Sequence, residues 1–325
     1  MPMQILHSAS LALALSLGLS ATAGALDLQA HRGGRGLMPE NTLPAFENAL
    51  KLGVNTLELD LGLSMDGMVL IAHDLRLNPN ITRDAMGNWI PDTPPPLYRL
   101  AWTALQTFDV GRLKPGSKYA AGFPDQQPVD GTRIPSLAQL FERVKALGNT
   151  TVRFNIETKL SPLEPALTPE PEAFVKAALA VIKAHGMTER VTLQSFDWRT
   201  LRVVQKLEPR IPTVYLSAQR NWLNNIADPR WTDGRTLAEH GNSLPQMIKA
   251  AGGGTWSPYF GDLTPEALKE AKALGLSVVV WTVNEPAQIE QMLDLGVDGI
   301  ISDRPDRVRA AMAARGLPLP AGLPR

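Results

Sequence analysis

Two histidines each close a β-type run. Leu26–Ala30 leads into His31, and Val69–Ala72 leads into His73. A pair of imidazoles near neutral pH can work as acid and base, one accepting a proton while the other donates. Between them lies Thr56–Leu61, which alternates strictly: Leu57, Leu59 and Leu61 share one face, Glu58 and Asp60 the other. The segment Thr151–Glu157 repeats the pattern, with Val152, Phe154 and Ile156 opposite Arg153, Asn155 and Glu157, and Lys159 just beyond. Carboxylates turned into an interior repel and lose hydration, so they stay ionised only beside a counter-charge. A hard divalent cation held by oxygen ligands would supply it, which makes Glu58, Asp60 and Glu157 candidate metal ligands. The residues alone also allow Glu58 and Asp60 in solvent and Glu157 in a surface ion pair with Lys159 or Arg153.

His31 runs into Arg32-Gly33-Gly34-Arg35-Gly36. Glycines permit close backbone approach to an anion, and the Arg32 fork suits phosphate oxygens. Neither the Walker nor the dinucleotide spacing is met. The remaining histidines differ: His7 sits in the leader, His185 at a helix end, and His240 in a polar loop.

Positioning these groups requires strands that share a rim. Amphipathic runs stop four times at Leu-Gly (residues 52–53, 147–148, 274–275 and 295–296), each followed by a β-type run. Cap-plus-proline starts are visible at Thr264-Pro265-Glu266 and Asn284-Glu285-Pro286, and Asn41-Thr42 caps a helix with Pro44 in its first turn. Helix-then-strand repetition means βα units and a parallel sheet. Eight of the candidate strands can close a barrel: Leu26–Ala30, Thr56–Leu61, Thr151–Glu157, Val191–Ser195, Pro212–Leu216, Gly254–Ser257, Ser277–Val283 and Gly299–Ser302, with Val69–Ala72 as a short extra piece. Residues 78–131, rich in Pro and Gly, read as an insertion. Removing it and the leader leaves roughly 250 residues, the usual size of a (β/α)8 barrel. The expected fold class is therefore α/β: a TIM barrel over residues 26–315 with a small inserted subdomain after the second-strand region, and a loose tail at 316–325.

The 325 residues carry 32 basic and 32 acidic side chains, so nucleic-acid binding by charge excess is excluded. With no cysteine, disulfides and thiolate metal sites are excluded too. The apolar block Leu11–Leu19, followed by small residues through Ala25, reads as a signal peptide over residues 1–25, although the first ten residues lack Lys and Arg. Export to the periplasm or beyond is expected, with no membrane span after processing.

Taken in order, His31-Arg32-Gly33, Pro39-Glu40-Asn41-Thr42, Glu58-Leu59-Asp60, His73-Asp74, Asn155–Lys159, Gln194-Ser195-Phe196, Trp281–Asn284 and Gly299–Pro305 resemble the glycerophosphodiester phosphodiesterase family, in its exported bacterial form. The resemblance implies hydrolysis of a small-molecule glycerophosphodiester to glycerol 3-phosphate and an alcohol. It implies one divalent cation on Glu58, Asp60 and Glu157, catalytic roles for His31 and His73, and phosphate contacts from Arg32 and Lys159. His31 is favoured as base and His73 as acid. Trp281 matches a substrate-facing aromatic, or else packs the barrel; Glu40 matches a positioning residue. Export favours Ca²⁺ over Mg²⁺. The chain departs from many relatives after His73-Asp74, where Leu75–Arg83 replaces a Leu, Arg and Thr pattern. Alternatives are a phospholipase-like lyase forming a cyclic phosphate, a glycosidase using Glu58 and Glu157, and a secreted binding barrel without turnover.

Overall fold

The computed structural model describes residues 25–323. The leader read at 1–25 lies, but for Ala25, outside them. In chain order the elements are β1 (Asp27–Ala30), α1 (Leu43–Leu52), β2 (Thr56–Leu63), β3 (Val69–Ile71), α2 (Trp102–Leu105), α3 (Lys118–Ala121), α4 (Leu137–Ala146), β4 (Arg153–Thr158), α5 (Pro171–Ala184) and β5 (Val191–Ser195). Then follow α6 (Trp198–Leu207), β6 (Thr213–Ser217), β7 (Gln219–Arg220), β8 (Leu223–Asn224), α7 (Leu244–Ala250), β9 (Thr255–Pro258), α8 (Pro265–Ala273), β10 (Ser277–Val280), α9 (Pro286–Leu295), β11 (Gly299–Ser302) and α10 (Pro305–Ala314).

Eight parallel strands run in the order β1-β11-β10-β9-β6-β5-β4-β2, and β2 pairs back onto β1 to close a TIM barrel. The third strand is an antiparallel appendage on the end of β2, pairing Leu61 with Ile71. Period-two alternation decides what faces where. Leu57, Leu59 and Leu61 are fully buried under the helices, while Glu58 and Asp60 point into the barrel. Phe141 of α4 meets Phe154 of β4 edge-on at 5.0 Å, and Trp198 of α6 meets Tyr215 of β6 at the same distance. The expected Ser277–Val283 strand stops at Val280, so Trp281 stands just past its end at the rim.

Helix starts follow the sequence signals only in part. Thr42 and Thr264 cap α1 and α8, accepting from Ala45 and Ala267 backbone N–H groups at 3.3 and 3.1 Å. Asn41 and Asn284 cap nothing. The Asn41 amide binds Asp60, and Asn284 binds Asp303. Between β3 and α4 the chain makes short helical turns over a small core of its own, formed by Leu70, Leu77, Ile90, Leu97, Leu105, Val110 and Ile134.

The expectation of a loose tail does not hold for residues 317–323. Leu317 and Leu323 pack on the main core, the Leu323 N–H donates to the Leu50 carbonyl at 3.0 Å, and Arg309 Nη1 donates to the Pro320 and Gly53 carbonyls. Alternating Leu, Pro and Gly has no helical or strand period, yet its leucines still bury apolar surface. Truncation after Gly316 should cost on the order of 2 kcal/mol, lowering Tm by roughly 3 °C. A melting curve that does not move would show that the docked tail contributes nothing net.

Candidate active site

The carboxylates come together because β2 and β4 are register neighbours, with Asp60 opposite Glu157. Glu58, Asp60 and Glu157 are all buried and can present oxygens within 4.8 Å of one another. Glu58 Oε1 accepts from Gln194 Nε2 at 2.7 Å and Oε2 from the Arg32 backbone N–H at 2.8 Å. Asp60 Oδ2 accepts from Asn41 Nδ2 at 2.9 Å and lies 3.3 Å from Arg32 Nε. Glu157 Oε1 accepts from Lys159 Nζ at 2.7 Å. Asp60 Oδ1 has no hydrogen-bond partner among the described residues, and Lys159 Nζ lies 3.9 Å from it.

Electrostatics explain what this arrangement lacks. Burial, then repulsion from Asp60, pushes the Glu58 carboxyl well above its ordinary range. Burial pushes Glu157 up to about 7 in spite of Lys159 beside it. Burial acts on Asp60 too, but attraction from His73, Arg32 and Lys159 outweighs it and holds that group below the usual range. Protein cations alone thus do not let all three acids ionise comfortably. An all-oxygen set with one orphaned buried oxygen fits a hard divalent cation.

Both histidines point one nitrogen at a carboxylate. His31, in the turn after β1, places Nδ1 2.6 Å from Asp303 Oδ1. An ionised carboxylate only accepts, so Nδ1 carries the proton and Nε2 keeps its lone pair. Asp303 is itself held by Arg35 Nε and Asn284 Nδ2, both at 2.7 Å. Burial lowers His31 to about 4, overcoming the attraction of Asp303. His73 repeats the device, with Nδ1 2.7 Å from Asp74 Oδ1, and burial lowers it too. Asp74 Oδ2 in turn accepts from Asn78 Nδ2 at 2.8 Å.

Arg32 adopts left-handed φ/ψ of 51° and 35°, which aims its N–H at Glu58. Gly33 follows at φ 81°, where a Cβ would fall 2.9 Å from that of Ala45. Arg32 Nη1 donates to Glu40 Oε1 at 2.8 Å. The other Glu40 oxygen accepts from the Tyr119 hydroxyl, which also receives Arg35 Nη1 at 3.2 Å. Tyr119 lies on α3, so the inserted segment reaches Glu40 through this phenol, as it reaches Asp74 through Asn78.

These groups open into a cavity of about 640 Å³ at the C-terminal rim of the barrel, where barrel enzymes keep their chemistry. His31, Arg32, Glu58, His73, Glu157, Lys159 and Trp281 line it, and Asp60 lies beneath. The three acids, the two strand-end histidines, Arg32, Lys159 and Trp281 are thus brought to this one place. Missed were Tyr119, Arg35, Trp222 and Tyr259; Asp303 stood within a matched motif without a role, and Asn284 was expected only to start a helix. The Asp303 signal was readable in principle, since it directly follows a strand end, as His31 does.

Comparison with known proteins agrees. The model of the Glycerophosphoryl diester phosphodiesterase family matches residues 31–307. A glycerophosphodiester phosphodiesterase of Bacillus subtilis is 28% identical, covering 85% of this chain and 83% of its own. One from Caldanaerobacter subterraneus is 30% identical, covering 85% and 93%. A Silicibacter pomeroyi structure superposes with TM-score 0.82 at 34% identity, covering 90% and 95%. An Oleispira antarctica phosphodiesterase, solved with the product sn-glycerol-3-phosphate, shares the fold with TM-score 0.66 at 22% identity, covering 89% and 97%.

If repulsion among the three acids is uncompensated in the metal-free protein, Glu157→Gln should stabilise it. The expected gain after EDTA treatment is on the order of 1 kcal/mol, or roughly 1.5 °C in Tm. The same variant should lose the rise in Tm that Ca²⁺ or Mg²⁺ gives the parent protein. A destabilised variant that keeps its metal-induced shift would remove Glu157 from the ligand set.

Proposed function

Because the chain belongs to the glycerophosphoryl diester phosphodiesterase family, we propose that this rim hydrolyses glycerophosphodiesters to glycerol 3-phosphate and an alcohol. The observation that carries the reading is the convergence of two carboxylate-oriented histidines with a buried triad of acids in one cavity. The chain is a phosphodiester hydrolase by family; the division of labour that follows is inferred from its own side chains.

Glu58, Asp60 and Glu157 would hold the divalent cation, which when bound supplies Lewis-acid charge to a phosphoryl oxygen. Arg32, hydrogen-bonded to Glu40 through Nη1 and ion-paired with Asp60, keeps Nη2 free of hydrogen bonds to the described residues and offers it to phosphate. Lys159 Nζ adds a second positive charge from the β4 end. His31 Nε2, kept unprotonated by burial, takes a proton from the nucleophile, either water or the substrate's glycerol hydroxyl. His73 has to enter the step as the imidazolium, its Nε2 proton taken up from solvent beforehand; as the phosphorus–oxygen bond to the alcohol breaks, it gives that proton to the departing oxygen, and His31 later releases to solvent the proton it took. Asp303 and Asp74 orient the two rings and steady the imidazolium form that each passes through. A glycosidase would leave His31, His73 and Arg32 without work.

With residues 1–25 read as an export leader, the enzyme works outside the cytoplasm, where Ca²⁺ is the more available hard cation. The first test is release of glycerol 3-phosphate from glycerophosphocholine. Activity should vanish with EDTA and return with Ca²⁺ more fully than with Mg²⁺. Chelator-indifferent turnover would remove the metal from the reaction. His31→Ala and His73→Ala should each lower kcat by on the order of 10²-fold or more. Near-normal turnover in either variant would break the acid/base pair. A cyclic phosphate among the products would mark the lyase route, with the glycerol hydroxyl as nucleophile.

A further inference from the structure

The cavity is far larger than a glycerol phosphate needs, and its side away from the acids has a different character. Phe196 follows β5, Tyr259 follows β9, Trp281 follows β10, and Trp222 stands at the turn between β7 and β8. Trp222 meets Tyr259 at 5.4 Å and 84°, and Trp281 at 6.1 Å and 81°; Tyr259 meets Trp281 at 5.6 Å and 65°. Three steeply inclined rings form a corner in the cavity wall. The Trp281 indole N–H is already spent on the Ser257 carbonyl at 2.9 Å. Trp222 is 61% exposed, a large apolar surface left to water beside the cavity it lines.

One carboxylate shares this cavity without a partner. Glu164 lines it, is exposed, and makes no ion pair among the described residues. The competing cation, Arg220, stacks on Tyr259 at 5.1 Å, but its charge is matched by Asp262 at 2.7 Å. Resting on the hydrolase reading, we propose that this corner binds the alcohol of the substrate, and that the alcohol carries a quaternary ammonium group, as choline does. Such a headgroup is a diffuse cation with an apolar surface and no N–H to satisfy. Aromatic faces and a carboxylate lining the same cavity suit it, whereas glycerol or inositol needs several hydrogen-bonding groups and the corner offers only the Tyr259 hydroxyl. An alkyl chain would match the rings but gain nothing from Glu164.

The test separates this inference from the hydrolase reading by measuring binding without turnover. Tetramethylammonium and choline should quench the intrinsic tryptophan fluorescence of the full protein. The neutral isostere 3,3-dimethyl-1-butanol should bind roughly 2- to 30-fold more weakly than choline, the worth of a cation–π contact. Glu164→Gln should weaken choline and leave the isostere alone. In turnover, Trp222→Ala should lower the ratio of kcat/KM for glycerophosphocholine over glycerophosphoglycerol by a similar factor, with Trp222→Phe partly restoring it. Equal binding of choline and its isostere would overturn the proposal in favour of plain apolar packing, as would preference for a lysophospholipid tail. Choline binding without hydrolysis would leave the corner standing and remove the reaction; hydrolysis without choline preference would do the reverse.

Discussion

Three buried acids on two adjacent strands are the constraint that the rest of the rim answers. Two carboxylates two residues apart on β2, with a third beside them on β4, make an interior that repels itself. Each neighbouring polar group responds to that charge. The Arg32 backbone bends into a strained conformation and gives its N–H to Glu58, while its side chain lies along Asp60. Gln194 reaches from β5 to Glu58, Asn41 leaves a helix start to reach Asp60, and Lys159 folds back on Glu157. Even so, burial still holds the Glu58 and Glu157 carboxyls above their ordinary range. The shortfall is what makes the site a receptor for a cation rather than a finished ion-pair network.

The same economy ties the inserted segment to the chemistry. Tyr119 donates to Glu40, Glu40 clamps Arg32, and Arg35 joins Tyr119 to Asp303, which orients His31. A continuous belt of hydrogen bonds therefore runs from the insertion around the rim to the base. Through that belt the insertion contributes alignment, and none of its groups has to touch phosphate to matter. Groups pinned on several sides lose little freedom when a charged ligand arrives, which is where preorganised electrostatic sites gain their strength.

How much of this could be read beforehand depended on periodicity. Alternation in Thr56–Leu61 was enough to turn Glu58 and Asp60 inward, and Leu-Gly helix stops located the strands that follow. Histidines at strand ends were legible because a barrel gathers strand ends at one rim. Asn41 and Asn284 were misread for the opposite reason: each sits beside a real helix start, and only the fold shows that a buried acid outcompetes the cap. Tyr119 and Trp222 lie in pieces too short to have a period, a four-residue helix and a hairpin of two-residue strands. The docked tail was misjudged because composition suggests looseness while two leucines decide the outcome.

A chain with no net charge cannot draw an anionic diester from a distance, so discrimination has to be built at close range. The rim does this by dividing its strands. Residues from β1, β2 and β4 carry the acids, the cations and His31, with His73 supplied by the appended β3. Those after β5, β6, β9 and β10 carry Phe196, Trp222, Tyr259 and Trp281. Lys159 joins the halves, its Nζ hydrogen-bonded to Glu157 and 5.6 Å from the centre of the Phe196 ring. One end thus recognises charge through fixed oxygen and nitrogen atoms, and the other recognises shape through π surfaces. A diester has that same polarity, a charged phosphate common to all members and an alcohol that varies. Variation in the aromatic half can therefore retune the alcohol without disturbing the acids on which the reaction depends.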